Sequence, residues 1–243
     1  MSLIVFAGPS LTAAQRTLAP AADWHPPAEA GDILRLDLRP GLTICLIDGY
    51  FDHRPAVRHK EILLALASGV RVIGAASIGA LRSAEMNPFG MEGVGAIYRA
   101  YAGGRISGDD EVALVHAGAE RDWRPLSVPL VELRATLCRL MRARRLSAAA
   151  ARGAMQAARS VHYVDRSWAE LEAAGAVAPP LRALLEAEHV PQKTIDACAA
   201  LRDAQRPRLG PAVRPEPVTT SFLRALAKDL GLDPPPRAPD PAA

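Results

Sequence analysis

The sequence predicts an α/β fold: an open, mostly parallel sheet with flanking helices, Rossmann-like, followed by a helical C-terminal extension. Three observations carry this. Short apolar, β-branched runs at residues 3–7 (LIVFA), 42–47 (LTICLI) and 70–73 (VRVI) have the composition of buried strands. Helical periodicity lies between and after them, and strands that alternate with helices lie parallel in one sheet. From residue 127 onward the pattern is helical alone.

The first strand, residues 3–7, ends in Gly8-Pro9-Ser10, and Ser10 stands where it would cap a short helix over residues 11–18. Residues 20–27 are proline-rich and read as a connection. Residues 32–38 (DILRLDL) fit either a strand or a short helix capped by Asp32. The strand at 42–47 ends in Asp48-Gly49; Pro55 then opens a helix that runs to about residue 68, and Gly69 stops it. The strand at 70–73 passes through Gly74-Ala75-Ala76 to Ser77 and a helix over 78–85. Residues 87–95 read as a loop, and a helix over 94–102 ends at Gly103-Gly104. Asp109-Asp110-Glu111 precedes residues 112–115, which fit a helix or a last strand. Residues 127–187 are helical, with breaks near Gly175 and Pro179-Pro180. A proline-rich linker at 207–217 leads to an amphipathic helix over 220–230. The expected organisation is an α/β core over 1–145, a helical extension over 146–232 and a proline-rich, disordered tail over 233–243.

Composition narrows the function. A content of 49% hydrophobic and 23% charged residues is that of a soluble globular protein, and no apolar run reaches the length that spans a bilayer. A net charge of +3 gives no argument for nucleic acid. Residues 137–146 (LCRLMRARRL) make one helix face basic, which fits a solvated face or an acidic partner. Cys45, Cys138 and Cys198 lie far apart with no C-x-x-C pair, which points to a reducing cytoplasm and against a metal site. Neither a G-x-G-x-x-G nor a Walker pattern appears, so no nucleotide or other cofactor is expected.

The candidate site follows from the strand ends. In an open parallel sheet, ligands bind outside the carboxyl ends of the strands. Gly8-Pro9-Ser10, Asp48-Gly49 and Ala76-Ser77 must then open on one edge. Ser77 turns a strand into a helix, and Ala75-Ala76-Ser77-Ile78-Gly79 is close to the G-x-S-x-G nucleophile elbow with Ala for the first Gly. The Ile78 and Gly79 amides would face developing negative charge at the helix start. Ser77 as a plain N-cap fits the same residues. By helical phase His59 falls in the stripe of Ala56, Ile62, Leu63 and Leu66, near the same sheet edge, with Lys60 and Glu61 pointing away. It is a candidate base or a core histidine. Asp48 would orient His59, bind substrate or hold its own turn. Arg82 and Glu85 fit a surface pair, and Asp109-Asp110-Glu111 fits a helix start with favourable charges.

Several stretches together resemble TfuA-like proteins. They are Ala7-Gly8-Pro9-Ser10, Ile47-Asp48-Gly49-Tyr50-Phe51, His59-Lys60-Glu61-Ile62-Leu63, residues 74–85 (GAASIGALRSAE), 89–95 (FGMEGVG), Asp109-Asp110-Glu111-Val112-Ala113 and Arg124-Pro125-Leu126-Ser127. They occur in order over about residues 1–140, with Ile78 and Ser83 where Met and Ala are more usual. The resemblance implies a partner of YcaO enzymes in making thioamides on ribosomally synthesised peptides. It also implies that the protein supplies sulfur by releasing sulfide from a thiocarboxylated, ThiS-like carrier protein. On that reading the catalytic group is Ser77, His59 and Asp48, with Ser10, Gly49, Ile78, Gly79 and Arg82 around the substrate. The alternative is a non-catalytic adaptor that recruits YcaO and the carrier. A persulfide route through Cys45 is disfavoured by its place inside an apolar strand.

Overall fold

The structure, a computed structural model, describes residues 2–50, 52, 54–175, 177–208, 213–216 and 219–233. Phe51 and all of the expected tail except Asp233 lie outside the described residues. Strands β1 (Ser2–Phe6), β2 (Asp23–His25), β3 (Leu42–Leu46), β4 (Arg71–Ala75) and β5 (Glu92–Val94) form one sheet in the order β2-β1-β3-β4-β5, every pair parallel. The helices are α1 (Ala13–Arg16), α2 (His59–Ala67), α3 (Ile78–Met86), α4 (Gly95–Ala102), α5 (Leu130–Arg142), α6 (Ala148–Ser160), α7 (Trp168–Ala173), α8 (Pro179–Ala187), α9 (Gln192–Ala204) and α10 (Ser221–Asp229). This is the expected α/β architecture. The three long strands are the three apolar runs. The edge strands β2 and β5 fall in stretches read as a connection and a loop, because three half-exposed residues carry no alternation to read. The ambiguous residues 32–38 hold one 3-10 turn, Ile33–Arg35, with Ile33 buried.

Alternation along the strands builds two cores. Ile4, Phe6, Ile44, Leu46 and Val72 pack with Ile62 and Leu66 of α2 and with Ile78 and Met86 of α3. Val5, Ala7, Cys45, Ile47, Ile73 and Ala75 pack instead with Ala197, Ala200, Leu201 and Ala204 of α9. Those four sit at i, i+3, i+4 and i+7, and three are alanine, so α9 lies close on the sheet. A third cluster joins Leu133 and Leu137 of α5 to Met155 of α6, Leu171 of α7 and Leu185 of α8. Helices α5 to α8 thus form a cluster of their own, while α9 covers the sheet. No helix among the described residues is long and apolar enough to cross a membrane.

The head of α2 carries a titratable lock. Buried Glu61 accepts the Arg58 N–H at 3.1 Å and the Gly31 N–H at 2.8 Å, which ties the segment before β3 to the helix start. Burial outweighs those two donors and pushes the Glu61 carboxyl up to about 7. The folded state therefore holds this proton more tightly than the unfolded chain does. The associated stability is complete below the ordinary value of 4.5 and is lost as the pH rises through about 7. Thermal melts between about pH 5 and pH 8 should show a fall in Tm that is flattened in Glu61→Gln. Parallel pH profiles for the two proteins would refute this.

Candidate active site

The strand order places the topological switch between β1 and β3, and the loops after these two strands flank the crevice. Asp48 stands just past β3 and is buried. Its Oδ2 accepts the Gly8 N–H at 2.9 Å and the Ser10 N–H at 3.0 Å, and its Oδ1 accepts the Ser10 hydroxyl at 2.6 Å. Three donors on one buried carboxylate pin the β1 loop to the end of β3. Ser10 is therefore committed to Asp48 and does not cap a helix. Helix α1 begins later, at Ala13, behind Thr12, whose N–H donates to Gln15 Oε1 at 2.9 Å.

Beyond β4 the chain turns within three residues. The Ser77 N–H donates to the Ala75 carbonyl at 2.8 Å across Ala76, which sits at φ 64° and is fully buried. A three-residue turn in this hand is strained for a residue with a Cβ. The strain lies on Ala76, one residue before the serine that the elbow-like pattern pointed to. Ser77 holds the N-cap position of α3, yet its side chain makes no capping bond. Among the described residues its hydroxyl has no hydrogen-bond partner.

Of the two amides expected to face an anion, one is already engaged. The Gly79 N–H donates to the Ile47 carbonyl at 3.3 Å, whereas the Ile78 N–H has no partner among the described residues. Gly79 is there for packing: a Cβ on it would stand 1.8 Å from the Leu46 carbonyl oxygen, and one on Gly74 2.1 Å from the Gly79 oxygen. Two facing glycines let α3 rest on β3 and β4.

These elements surround a cavity of about 180 Å³ whose walls include Asp48, Gly49, Ser77 and Ile78. Residues 112–116 line it too, and Tyr50 and Arg54 stand at it as well. Arg54 stacks on Tyr50 at 4.5 Å, and His116 packs on Trp123 at 5.3 Å. The His116 Nδ1 lies 2.8 Å from the Ala117 carbonyl. Lys193, from the first turn of α9, also lines the cavity; its Nζ donates to the Val112 carbonyl at 3.0 Å. Burial lowers the Lys193 pKa, and the charges of Asp48 and Glu132 oppose that shift.

His59 and Arg82 are elsewhere. Glu85 Oε2 lies 2.8 Å from His59 Nε2 and 2.7 Å from Arg82 Nη1, while Arg82 Nε donates to the Val57 carbonyl at 3.1 Å. They line a second depression, bordered by Phe222 and Leu223 of α10, and neither lines the Ser77 cavity. The expected placement of His59 depended on a helix that starts at Pro55. Since α2 starts at His59, Ala56 is not helical; His59 keeps the helical phase of buried Ile62, Leu63 and Leu66 but stands at the very end of the helix. His59 is left exposed at the first position, and Glu61, expected outside, is buried.

The structure thus brings together Ser77, Asp48, Ser10, Gly49 and Ile78, keeps Gly79 beneath them as packing, and separates His59 and Arg82. The acidic run forms a 3-10 turn, Asp109–Glu111, whose Asp110 pairs with Arg166 and whose Glu111 meets Arg134 and Arg159. Lys193 and His116 were not singled out in the sequence. A lysine at the second position of a helix opposes the helix dipole, and that misfit was the available signal for Lys193.

Cys45 is wholly buried in β3, and burial, only partly offset by Arg71, pushes its thiol up to about 12. Such a thiol holds almost no thiolate near neutral pH. Cys45→Ala is accordingly expected to leave any sulfur-delivery activity intact, within about twofold, in a sulfide assay on folded protein. Loss of that activity would revive the persulfide route.

Residues 48–167 match the family model described as TfuA-like protein, a span that holds Asp48, Ser77 and His116 but stops short of Lys193. No curated protein matches the chain.

Proposed function

We propose a function on the premise that the chain belongs to the TfuA-like family: it hydrolyses a thiocarboxylated sulfur-carrier protein and releases sulfide for a YcaO enzyme. The YcaO enzyme would use that sulfide to form thioamides on ribosomally synthesised peptides, in the cytoplasm. Cleavage of a thiocarboxylate is acyl transfer, which needs a nucleophile, a proton path and a donor for the oxyanion. Ser77 is the nucleophile of this reading and the Ile78 amide its oxyanion donor. Asp48 and Ser10 hold the crevice open between β1 and β3, and Gly49 gives its floor. The observation that carries the reading is the Ser77 hydroxyl: it stands at a strand–helix corner, without a partner among the described residues, on the wall of the switch-point cavity. A cavity of about 180 Å³ is small beside the roughly 300–1,000 Å³ of whole-ligand sites. It suits the end of a peptide chain better than a nucleotide.

A second reading, the adaptor that only recruits YcaO and the carrier, draws on one observation: the Gly79 amide is occupied by Ile47, so the oxyanion has a single backbone donor. One assay separates the two. Purified protein is mixed with a thiocarboxylated carrier, and sulfide is measured with and without YcaO. Release by this protein alone supports hydrolysis; no release under either condition, with binding retained, supports the adaptor.

A further inference from the structure

Residues 112–116 line the Ser77 cavity, and part of this segment carries backbone groups left unpaired among the described residues. His116 and Pro125 form an isolated antiparallel bridge. The hydrogen bonds that make it come from their neighbours: the Ala117 N–H donates to the Arg124 carbonyl at 2.9 Å, and the Leu126 N–H to the Val115 carbonyl at 2.7 Å. Residues in such a pair point their own N–H and C=O away from the opposite strand. Pro125 has no N–H and loses nothing there. His116 has both groups, and neither they nor those of Leu114 have a partner among the described residues. Val115, between them, is spent on the hairpin, since its N–H donates to the Ser127 hydroxyl oxygen at 2.8 Å. The segment is paired on one side and bare on the other, as an edge strand is. It is also braced. Trp123, in the left-handed region at φ 55°, packs on the His116 ring at 5.3 Å, and the His116 Nδ1 donates to the Ala117 carbonyl at 2.8 Å. Leu114, Val115 and His116 are all partly exposed, so the bare side can be reached.

We infer that this edge takes the tail of the sulfur carrier by strand addition: the extended tail lies along Leu114 to His116, exchanges main-chain hydrogen bonds with those two residues, and so brings its terminal thiocarboxylate to Ser77. The inference rests on the hydrolytic reading for the identity of the tail. Two observations select an extended peptide as the occupant. A cavity of about 180 Å³ admits a chain end and not a folded domain, so the reacting group has to arrive on a single strand. The bare groups of the edge are main-chain donors and acceptors two residues apart, roughly 7 Å in an extended chain, and another extended backbone matches that spacing. The tail N–H groups bond to the Leu114 and His116 carbonyls, and the tail carbonyls accept from the Leu114 and His116 N–H groups. Main-chain pairing of this kind supplies affinity without reading side chains. The edge therefore selects for a free, extended chain end more than for a particular sequence, and a carrier whose terminal segment is locked into its own fold is rejected.

The test uses the full chain in the Ser77→Ala background, where the thiocarboxylated carrier is not consumed. Amide hydrogen exchange is followed residue by residue with and without the carrier. In the complex the Leu114 and His116 amides should exchange about tenfold or more slowly than in the free protein. The Val115 and Ala117 amides, already bonded, should change little. A semisynthetic carrier methylated on one tail amide nitrogen at a time should lose about tenfold in affinity at alternate positions and keep it at those between, because a paired strand offers its N–H to one side at every second residue. On the protein side, His116→Pro should bind the carrier roughly three- to tenfold more weakly than His116→Ala, since both lack the imidazole and only the proline lacks the N–H. The exchange and methylation measurements decide the question even where His116→Pro does not fold. A bound carrier that leaves the Leu114 and His116 amides exchanging as in the free protein overturns the inference. So do methylation effects without the two-residue alternation, and so does a carrier that does not bind. Sulfide release by wild-type protein is scored separately. Release without protection of these amides removes the strand addition and leaves hydrolysis standing; protection without release keeps the strand addition and favours the adaptor.

Discussion

Ser77→Ala should cut sulfide release by about 100-fold or more while the protein melts within about 2 °C of wild type. The two halves of this expectation have separate causes. An N-cap serine ordinarily contributes about 0.5–2 kcal/mol to stability. Here the hydroxyl makes no capping bond and has no other partner among the described residues, so its removal leaves no donor or acceptor stranded. A nucleophile on the wall of the cavity cannot be replaced in that way. The decisive measurement pairs a melting curve with a sulfide assay, and carrier binding should persist. Near wild-type release by folded Ser77→Ala would leave the adaptor reading in front.

Gly79→Ala should have the largest effect on the fold and give no cooperatively folded protein. Its Cβ would stand 1.8 Å from the Leu46 oxygen and 2.7 Å from the Leu46 carbonyl carbon. Both atoms belong to the backbone of a central strand and cannot rotate aside. Gly153 is the natural control, since a Cβ there meets nothing within 4 Å and the residue lies inside α6. Gly153→Ala should raise stability by about 0.5–1 kcal/mol, the ordinary gain of alanine over glycine in a helix. Circular dichroism and thermal melts of both variants check this. A Gly79→Ala protein with a wild-type melting curve would show that α3 does not rest on β3 as described.

The sheet was legible because its three main strands are short runs rich in apolar and β-branched residues, and their common edge followed from parallel geometry alone. That edge correctly united Ser77, Asp48 and Ser10, though the hydrogen bond between the last two was not foreseen. His59 lies away from the Ser77 cavity because Arg58 is extended at φ −94° and ψ 148° and the helix begins only at His59, which leaves it at the exposed helix end and not a turn inside. Phase fixes the face of a helix but not where along it the burial begins. Gly79 fitted an anion-binding helix start in sequence, and only the 1.8 Å approach to Leu46 shows what the missing Cβ is for. Lys193 offered only the misfit of a lysine against the helix dipole, and its place at the cavity has a different origin. Its position depends on α9 crossing the second face of the sheet, a contact between parts of the chain that no local pattern encodes.

That return of α9 also sets an order of events on the ribosome. The fifth strand is complete at Val94, but the helix that covers Val5, Cys45, Ile47 and Ile73 begins only at Gln192. Roughly 100 residues must be added in between, which at about 5–20 residues per second is on the order of 5–20 s. Over that interval the nascent chain carries a sheet with one apolar face bare. The same face would be open to chaperones, and to self-association wherever translation stalls before α9 emerges. Sheet completion and closure of the Lys193 side of the cavity then coincide, so the cavity has all its walls only when the last sheet-covering helix docks.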